Sequence, residues 1–228
     1  MSDTPIDVSD GRVPLATVLP DDEPDLTDNP YWQIVRWMLR GAADPVTGEP
    51  TITWPPEDLG FPSREDLVHW FAWAIPSPWE LRWLTRALDG RPLLEIGAGT
   101  GYWVWQLGQL GHDVLAYDVE PGKNEYGLLP YWYPIQEGGP GNAADHADRA
   151  LILCWPPYSE DDSTCMAAES LNAYRGTTLV YIGEWRGCCA GPRFFDLVER
   201  KWKKDPRPAP PAINFNGIYS HVNLFHRQ

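Results

Sequence analysis

Apolar and polar positions in the 228 residues fall into two textures after a segment of little periodicity over 1–30, helical over 31–90 and alternating from residue 91 onward. Asp28-Asn29-Pro30 supplies a cap and a first-turn proline, which predicts a helix from Tyr31 to Arg40 that stops at Gly41. Ser63-x-x-Asp66 opens a second helix carrying Leu67, Trp70, Phe71 and Ala74. Ser77-Pro78-x-Glu80 combines an N-cap, a first-turn proline and a capping-box glutamate. The third helix that it starts presents Leu81, Leu84 and Leu88, with Trp83 beside them, and ends at Asp89-Gly90. Residues 42–62 read as loop.

After Arg91, short apolar runs at 93–96, 113–117, 150–154 and 178–183 alternate with helical stretches at 102–110, 163–174 and 192–203. Strands that alternate with helices imply βαβ units and a mostly parallel α/β sheet. Residues 213–225 are strand-like with no helix after them, and Asn216-Gly217 within them is a hairpin signal. The segment 206–212 reads as a short stiff linker.

Composition narrows the partners. There are 32 acidic against 18 basic residues, a formal charge of −14. Residues 1–30 hold eight acids and only Arg12 as a base, so half the excess sits in a Pro- and Asp-rich segment expected to be a flexible acidic arm. Proteins that bind nucleic acid rely on Lys and Arg to neutralise phosphate, so this charge disfavours nucleic acid as the partner. No apolar run is long enough to predict a membrane span. The first residues lack a basic stretch followed by an apolar one, so no secretion signal is expected and the cytoplasm is the expected location. Cys154, Cys165, Cys188 and Cys189 form no CxxC pair and are expected as reduced thiols. The five histidines show no ligand spacing, and no metal is assigned. Of the 13 tryptophans, seven precede residue 91 (Trp32, Trp37, Trp54, Trp70, Trp73, Trp79 and Trp83). Trp at helical spacing commonly fills a core, and packing is the expectation for most of them.

Residues 91–105 carry the chemistry. A buried strand runs into Glu95-x-Gly97-x-Gly99-x-Gly101, and a helical pattern follows. Such glycines let the backbone turn sharply and approach a ligand, and the helix start adds free N–H groups. A dinucleotide fingerprint from Gly97 would need a small residue where Tyr102 stands, and the Gly-Lys-Ser/Thr of a P-loop is absent.

This segment resembles the first motif, E/D-x-G-x-G-x-G, of the class I S-adenosylmethionine-dependent methyltransferases. The resemblance implies a Rossmann-like sheet, mostly parallel with an antiparallel C-terminal strand, preceded by a helical N-terminal cap. Glu95, Gly97, Ala98, Gly99, Thr100 and Gly101 would then wrap the methionine part of S-adenosylmethionine, which leaves as S-adenosylhomocysteine. Asp118, at the end of the second strand, would take the ribose hydroxyls. Residues 155–158, WPPY, are similar to the D/N/S-P-P-Y motif of amino-methyltransferases. Pro156, Pro157 and Tyr158 match, whereas Trp155 replaces the polar residue that accepts a hydrogen bond from the amine. Trp155, Pro156, Pro157, Tyr158 and Trp185 are the substrate candidates, and Tyr158 and Glu184 the catalytic ones. Glu184 reads equally as a general base, an amine-orienting acid or a capping charge. Gly138, Gly139 and Asn142 are candidates for the adenine contact, and residues 119–149 for a lid or, near Tyr133–Gln136, a short third strand.

The organisation expected is an arm over 1–30, a helical cap over 31–90 that belongs to the same domain, and a cofactor-binding domain over 91–228. The function expected is methyl transfer to a small-molecule acceptor at nitrogen, with a small or cationic acceptor favoured over a polyanion. Two alternatives stand beside it: an amino-methyltransferase of adenine or cytosine in nucleic acid, and a cofactor-binding protein without catalysis.

Overall fold

The apolar runs after residue 91 become strands buried on both faces. The computed structural model describes residues 22–39, 48, 51–52, 60–123, 131–161 and 164–228. Its main sheet contains β1 (Leu93–Ile96), β2 (Val114–Asp118), β3 (Gln136–Glu137), β4 (Ala150–Cys154), β5 (Thr178–Glu184), β6 (Trp202–Lys204) and β7 (Ser220–Arg227). Their spatial order is β3-β2-β1-β4-β5-β7-β6. β7 runs antiparallel to both neighbours, β5 and β6, and the remaining pairs are parallel. The sheet is therefore the Rossmann-like one expected, mostly parallel with an antiparallel C-terminal strand.

Alternation along each strand divides the core between two faces. Leu94, Ile96, Leu151, Leu153, Leu179 and Tyr181 pack with α5 (Met166–Ala173) and α6 (Pro192–Lys201). Leu93, Ala150, Ile152, Val180, Ile182 and Leu224 pack with α3 (Pro78–Leu88) and α4 (Tyr102–Gln109). Each Leu, Ile or Val among them contributes about 1.5–3 kcal/mol by leaving water. A third cluster joins α1 (Pro30–Val35) and α2 (Arg64–Trp70) to Tyr102, Ile213 and Phe215.

The start signals read from the sequence operate as expected. Asn29 caps α1 through its side chain, and both Ser63-Asp66 and Ser77-Glu80 close capping boxes. Asn29 also accepts from the buried Tyr102 hydroxyl at 2.8 Å, and that hydroxyl accepts from Tyr31 N at 3.0 Å. This ties the first helix to the start of α4.

Four expectations are revised. α1 ends at Val35, and the expected stop at Gly41, with Arg40 before it, lies outside the described residues. The helix expected to run through 203 stops at Lys201, because Trp202–Lys204 pairs with β7 as a strand and buries Trp202. Asn216-Gly217 forms a turn, but no hairpin: Asn214–Phe215 pairs in parallel with Thr51–Ile52, a strand within the expected loop. The Asn214 side chain bonds Ser220 N and O at 3.2 and 3.0 Å and does the work that strand pairing would do. Residues 1–21 of the expected arm, Trp54, and 124–130 of the expected lid lie outside the described residues. Residues 22–29, by contrast, lie against the helices: Arg82 pairs with Asp22 at 3.0 Å, and Gln106 Nε2 donates to Asp28 O at 2.9 Å. No helix among the described residues is long and apolar enough to cross a membrane.

Candidate functional site

In an open α/β sheet the ligand crevice lies beyond the carboxyl ends of the strands, where the strand order reverses. Here that point lies between β1, which leads into the glycine segment, and β4, which leads into WPPY. A cavity of about 790 Å³ opens there, lined on one side by Glu95 and Gly97–Thr100 and on another by Trp155–Tyr158. Cavities of about 300–1,000 Å³ enclose drug-sized ligands.

The glycine segment is shaped by backbone needs. Gly97, Gly99 and Gly101 all adopt positive φ, at 76°, 54° and 73°. At Gly97 a Cβ would also stand 2.6 Å from Met166 Cε, so a side chain there faces both backbone strain and a neighbour across the cavity. The loop is fixed to β2: Gly97 N and Ala98 N donate to Tyr117 O at 2.8 and 3.0 Å, and Gly99 N donates to Asp118 Oδ2 at 3.0 Å. The Thr100 hydroxyl donates to Phe71 O, which joins the loop to the end of α2.

Glu95 stands out chemically. It is 2% exposed, it lines the cavity, and its Oε2 is buried without a hydrogen-bond partner. Burial pushes its carboxyl well above the usual carboxylate range, and the neighbouring Asp118 adds to the rise. A buried polar atom left unpaired is costly. A ligand with an ammonium group beside Glu95 would relieve that cost. The residues present therefore fit the amino-acid end of S-adenosylmethionine.

The WPPY wall is held by tertiary contacts. Trp155 has φ 44°, a strained backbone for a bulky residue, immediately after β4. Its N donates to Ile182 O at 2.8 Å and its Nε1 to Ser220 Oγ at 3.1 Å. Its ring stacks on Trp73 at 5.2 Å and 17°. Pro156 O accepts from Ala190 N at 2.9 Å, and Ser159 N donates to Ala190 O at 3.2 Å, so the segment is clamped to the turn after β5. Tyr158 lines the cavity at 54% exposure.

Not every sequence candidate reaches the cavity. Gly138 and Gly139 line it, while Asn142 caps the 3₁₀ turn by accepting from Gly139 N at 2.9 Å. Gly101 and Asp118 sit just behind the lining, with Asp118 accepting from Gly99 N and from Glu120 N at 3.2 Å. Glu184 is buried, and its carboxylate faces backbone: Oε1 accepts from Tyr219 N and Oε2 from Cys188 N, each at 2.9 Å. Trp185 stacks on Phe225 at 5.5 Å, away from the cavity. Left-handed backbone at Arg186 and Ala190 turns the chain so that Cys188 and Cys189 reach the lining instead. Glu184 raises the Cys188 thiol, and burial pushes Cys189 up to about 11, so neither is a thiolate nucleophile near neutral pH.

Sequence reasoning missed the contribution of α2 and the turn after it: Arg64, Val68, Phe71 and Trp73 all line the cavity. Arg64 carried a usable signal, because a cation in the first position of a helix opposes the helix dipole. Among the described residues, no group of three or more His, Cys, Asp or Glu side chains could hold a metal ion.

No family model and no curated protein matches the chain. Solved structures similar to it include an rRNA methylase from Streptococcus thermophilus, at 16% identity and TM-score 0.41, covering 65% of this chain and 94% of that one. A magnesium protoporphyrin IX methyltransferase from Synechocystis with bound SAM has 11% identity and TM-score 0.44, covering 65% and 76%. A Burkholderia thailandensis 1,6-didemethyltoxoflavin-N1-methyltransferase, with 1,6-didemethyltoxoflavin and S-adenosylhomocysteine bound, has 16% identity and TM-score 0.39, covering 81% and 97%.

Proposed function

We propose that the chain is an S-adenosylmethionine-dependent methyltransferase that acts in the cytoplasm on a small-molecule acceptor, at nitrogen. One observation carries this reading: a single cavity at the sheet's switch point has the glycine loop with its unpaired Glu95 on one side and the WPPY segment on the other. When bound, the cofactor supplies an electrophilic methyl group on a sulfonium sulfur. Glu95 would face the cofactor's ammonium, and residues 97–101 would follow its amino-acid chain. Asp118, whose carboxylate already accepts from Gly99 N and Glu120 N, would take the ribose hydroxyls. Gly138 and Gly139, which line the cavity, would flank the base.

Direct displacement needs alignment and exclusion of water more than acid–base power when the acceptor is a neutral amine. Trp155, Pro156 and Pro157 offer a rigid flat wall for that alignment, and Tyr158 closes it at the rim. We assign Glu184 to positioning: its two backbone bonds fix the turns that carry Cys188 and Tyr219. Residues 31–90 act as the acceptor-side cap of the domain over 91–228. Methyl-labelled cofactor incubated with the protein and whole-cell extract should place label in a low-mass product. Label in nucleic acid, or no transfer to any fraction, would contradict this reading.

A further inference from the structure

Arg64 is the one Lys, Arg or His side chain among the described residues that line the cavity. Its guanidinium lies 5.3 Å from the centroid of Trp73 and 5.8 Å from that of Phe215. Trp73 in turn stacks on Trp155, so Arg64, Trp73 and Trp155 form one row along the WPPY side. Aromatic contacts engage the faces of a guanidinium and leave its in-plane N–H donors for another partner. Among the described residues Arg64 has no ion pair, and its Nε is buried without a hydrogen bond. A cation held this way costs free energy until a counter-charge arrives. Its position adds to that cost, because as the first residue of α2 it stands at the positive end of the helix. Glu65 and Asp66 share that first turn, but Asp66 is committed to Ser63 N at 2.8 Å and to the Ser63 hydroxyl at 2.7 Å.

We propose that Arg64 docks an oxyanion of the methyl acceptor, which is therefore a flat small molecule bearing a carboxylate or a phosphate. This rests on the methyltransferase reading, and it departs from the cationic acceptor that overall charge favours. A cation beside two aromatic rings, with no ion pair among the described residues, suits one oxyanion bound edge-on by the guanidinium fork. Bound there, a ring would lie beside the Trp73–Trp155 stack. The cofactor's own carboxylate is the competing source of negative charge, and the contacts of Arg64 with Trp73 and Phe215 place it on the acceptor side.

The test uses benzoate, phenyl phosphate, benzamide and benzylamine as probes, titrated against tryptophan fluorescence with and without S-adenosylhomocysteine. At least one of the two anions should bind the wild-type protein more tightly than benzamide or benzylamine, and should lose at least about tenfold in Arg64→Gln. Arg64→Lys should recover part of the loss, while S-adenosylhomocysteine affinity stays within about twofold in both variants, which also reports that they fold. The anion that binds tells carboxylate from phosphate. Equal binding of benzamide, no anion binding at millimolar concentration, or an Arg64→Gln loss that appears in the S-adenosylhomocysteine titration instead would each overturn the assignment. If the wild-type protein does not bind S-adenosylhomocysteine, the methyltransferase reading falls, and the titrations without it still judge Arg64.

Discussion

The two sides of the cavity are built in opposite ways. The glycine side is one contiguous stretch, shaped by three positive φ angles and hydrogen-bonded to the adjacent strand. The aromatic side is assembled from segments around residues 64–73, 155–158, 188–189 and 218, and held by ring stacking and turn clamps. The first has a buried carboxyl with one unpaired oxygen, and the second a guanidinium whose Nε has no partner among the described residues. Local conformational demand makes one, and long-range packing makes the other. A ligand that engages both therefore meets a rigid backbone cradle and a surface whose selectivity can change without disturbing that cradle.

Substitutions can pull the two sides apart. Gly97→Val should have the largest effect: a β-branched residue at φ 76° adds strain, and its Cβ meets Met166. Backbone strain of about 1–3 kcal/mol is present in the free and the bound protein alike and lowers stability. With the lost approach to the ligand, calorimetry should show S-adenosylhomocysteine affinity down by about 100-fold or more. Binding of the ring probes without cofactor should survive. Trp155→Ala should do the reverse, raising acceptor KM by about tenfold through loss of the Trp73 stack while cofactor Kd moves less than about twofold. A joint loss of both affinities in either variant would mean that the two sides are not independent.

Glu184→Gln replaces an acceptor oxygen with an amide donor facing a backbone N–H. At about 1–3 kcal/mol for that lost pairing, Tm should fall by about 2–10 °C, and the pH–rate profile should not move. A shifted profile would return Glu184 to acid–base chemistry. Tyr158→Phe should have the smallest effect, about twofold or less on kcat/KM, because the ring stays and the residue is 54% exposed. A larger loss would make its hydroxyl a catalytic contact.

The same contrast explains what the sequence reveals. The strand, glycine turn and helix around Glu95–Gly101 and the strand end at Asp118 are legible because they follow one another along the chain, so local rules give their conformation. Capping boxes at Ser63 and Ser77 are legible for the same reason. Glu184 and Trp185 satisfied the rule that sites follow strand ends, yet left-handed turns at Arg186 and Ala190 put Cys188 in the cavity instead. The last strand pair stayed hidden because the helical pattern of α6 runs on into Trp202, and only pairing with Phe225–Arg227 makes that segment a strand. Arg64 and Trp73 lie far along the chain from the glycine motif, and no local pattern connects them to it. Of the tryptophans, Trp103 packs in the core as expected, whereas Trp73 and Trp155 meet across the cavity wall.

The central claim, that Glu95 and the glycine loop receive the amino-acid end of S-adenosylmethionine, has a proton signature. Burial, with the nearby Asp118 adding to it, pushes the Glu95 carboxyl well above the ordinary carboxylate range. Its folded-state pKa is therefore raised, and its contribution to stability is present below about pH 4.3 and lost as pH climbs through the raised value. An incoming ammonium group favours the ionised carboxylate, so binding releases a proton and affinity rises with pH across that window. Calorimetry of S-adenosylhomocysteine in buffers of different ionisation enthalpy measures this directly. One-to-one binding with proton release, tighter at higher pH and flattened in Glu95→Gln, is the predicted result. No saturable heat, or binding that Glu95→Gln leaves unchanged at every pH, would contradict it.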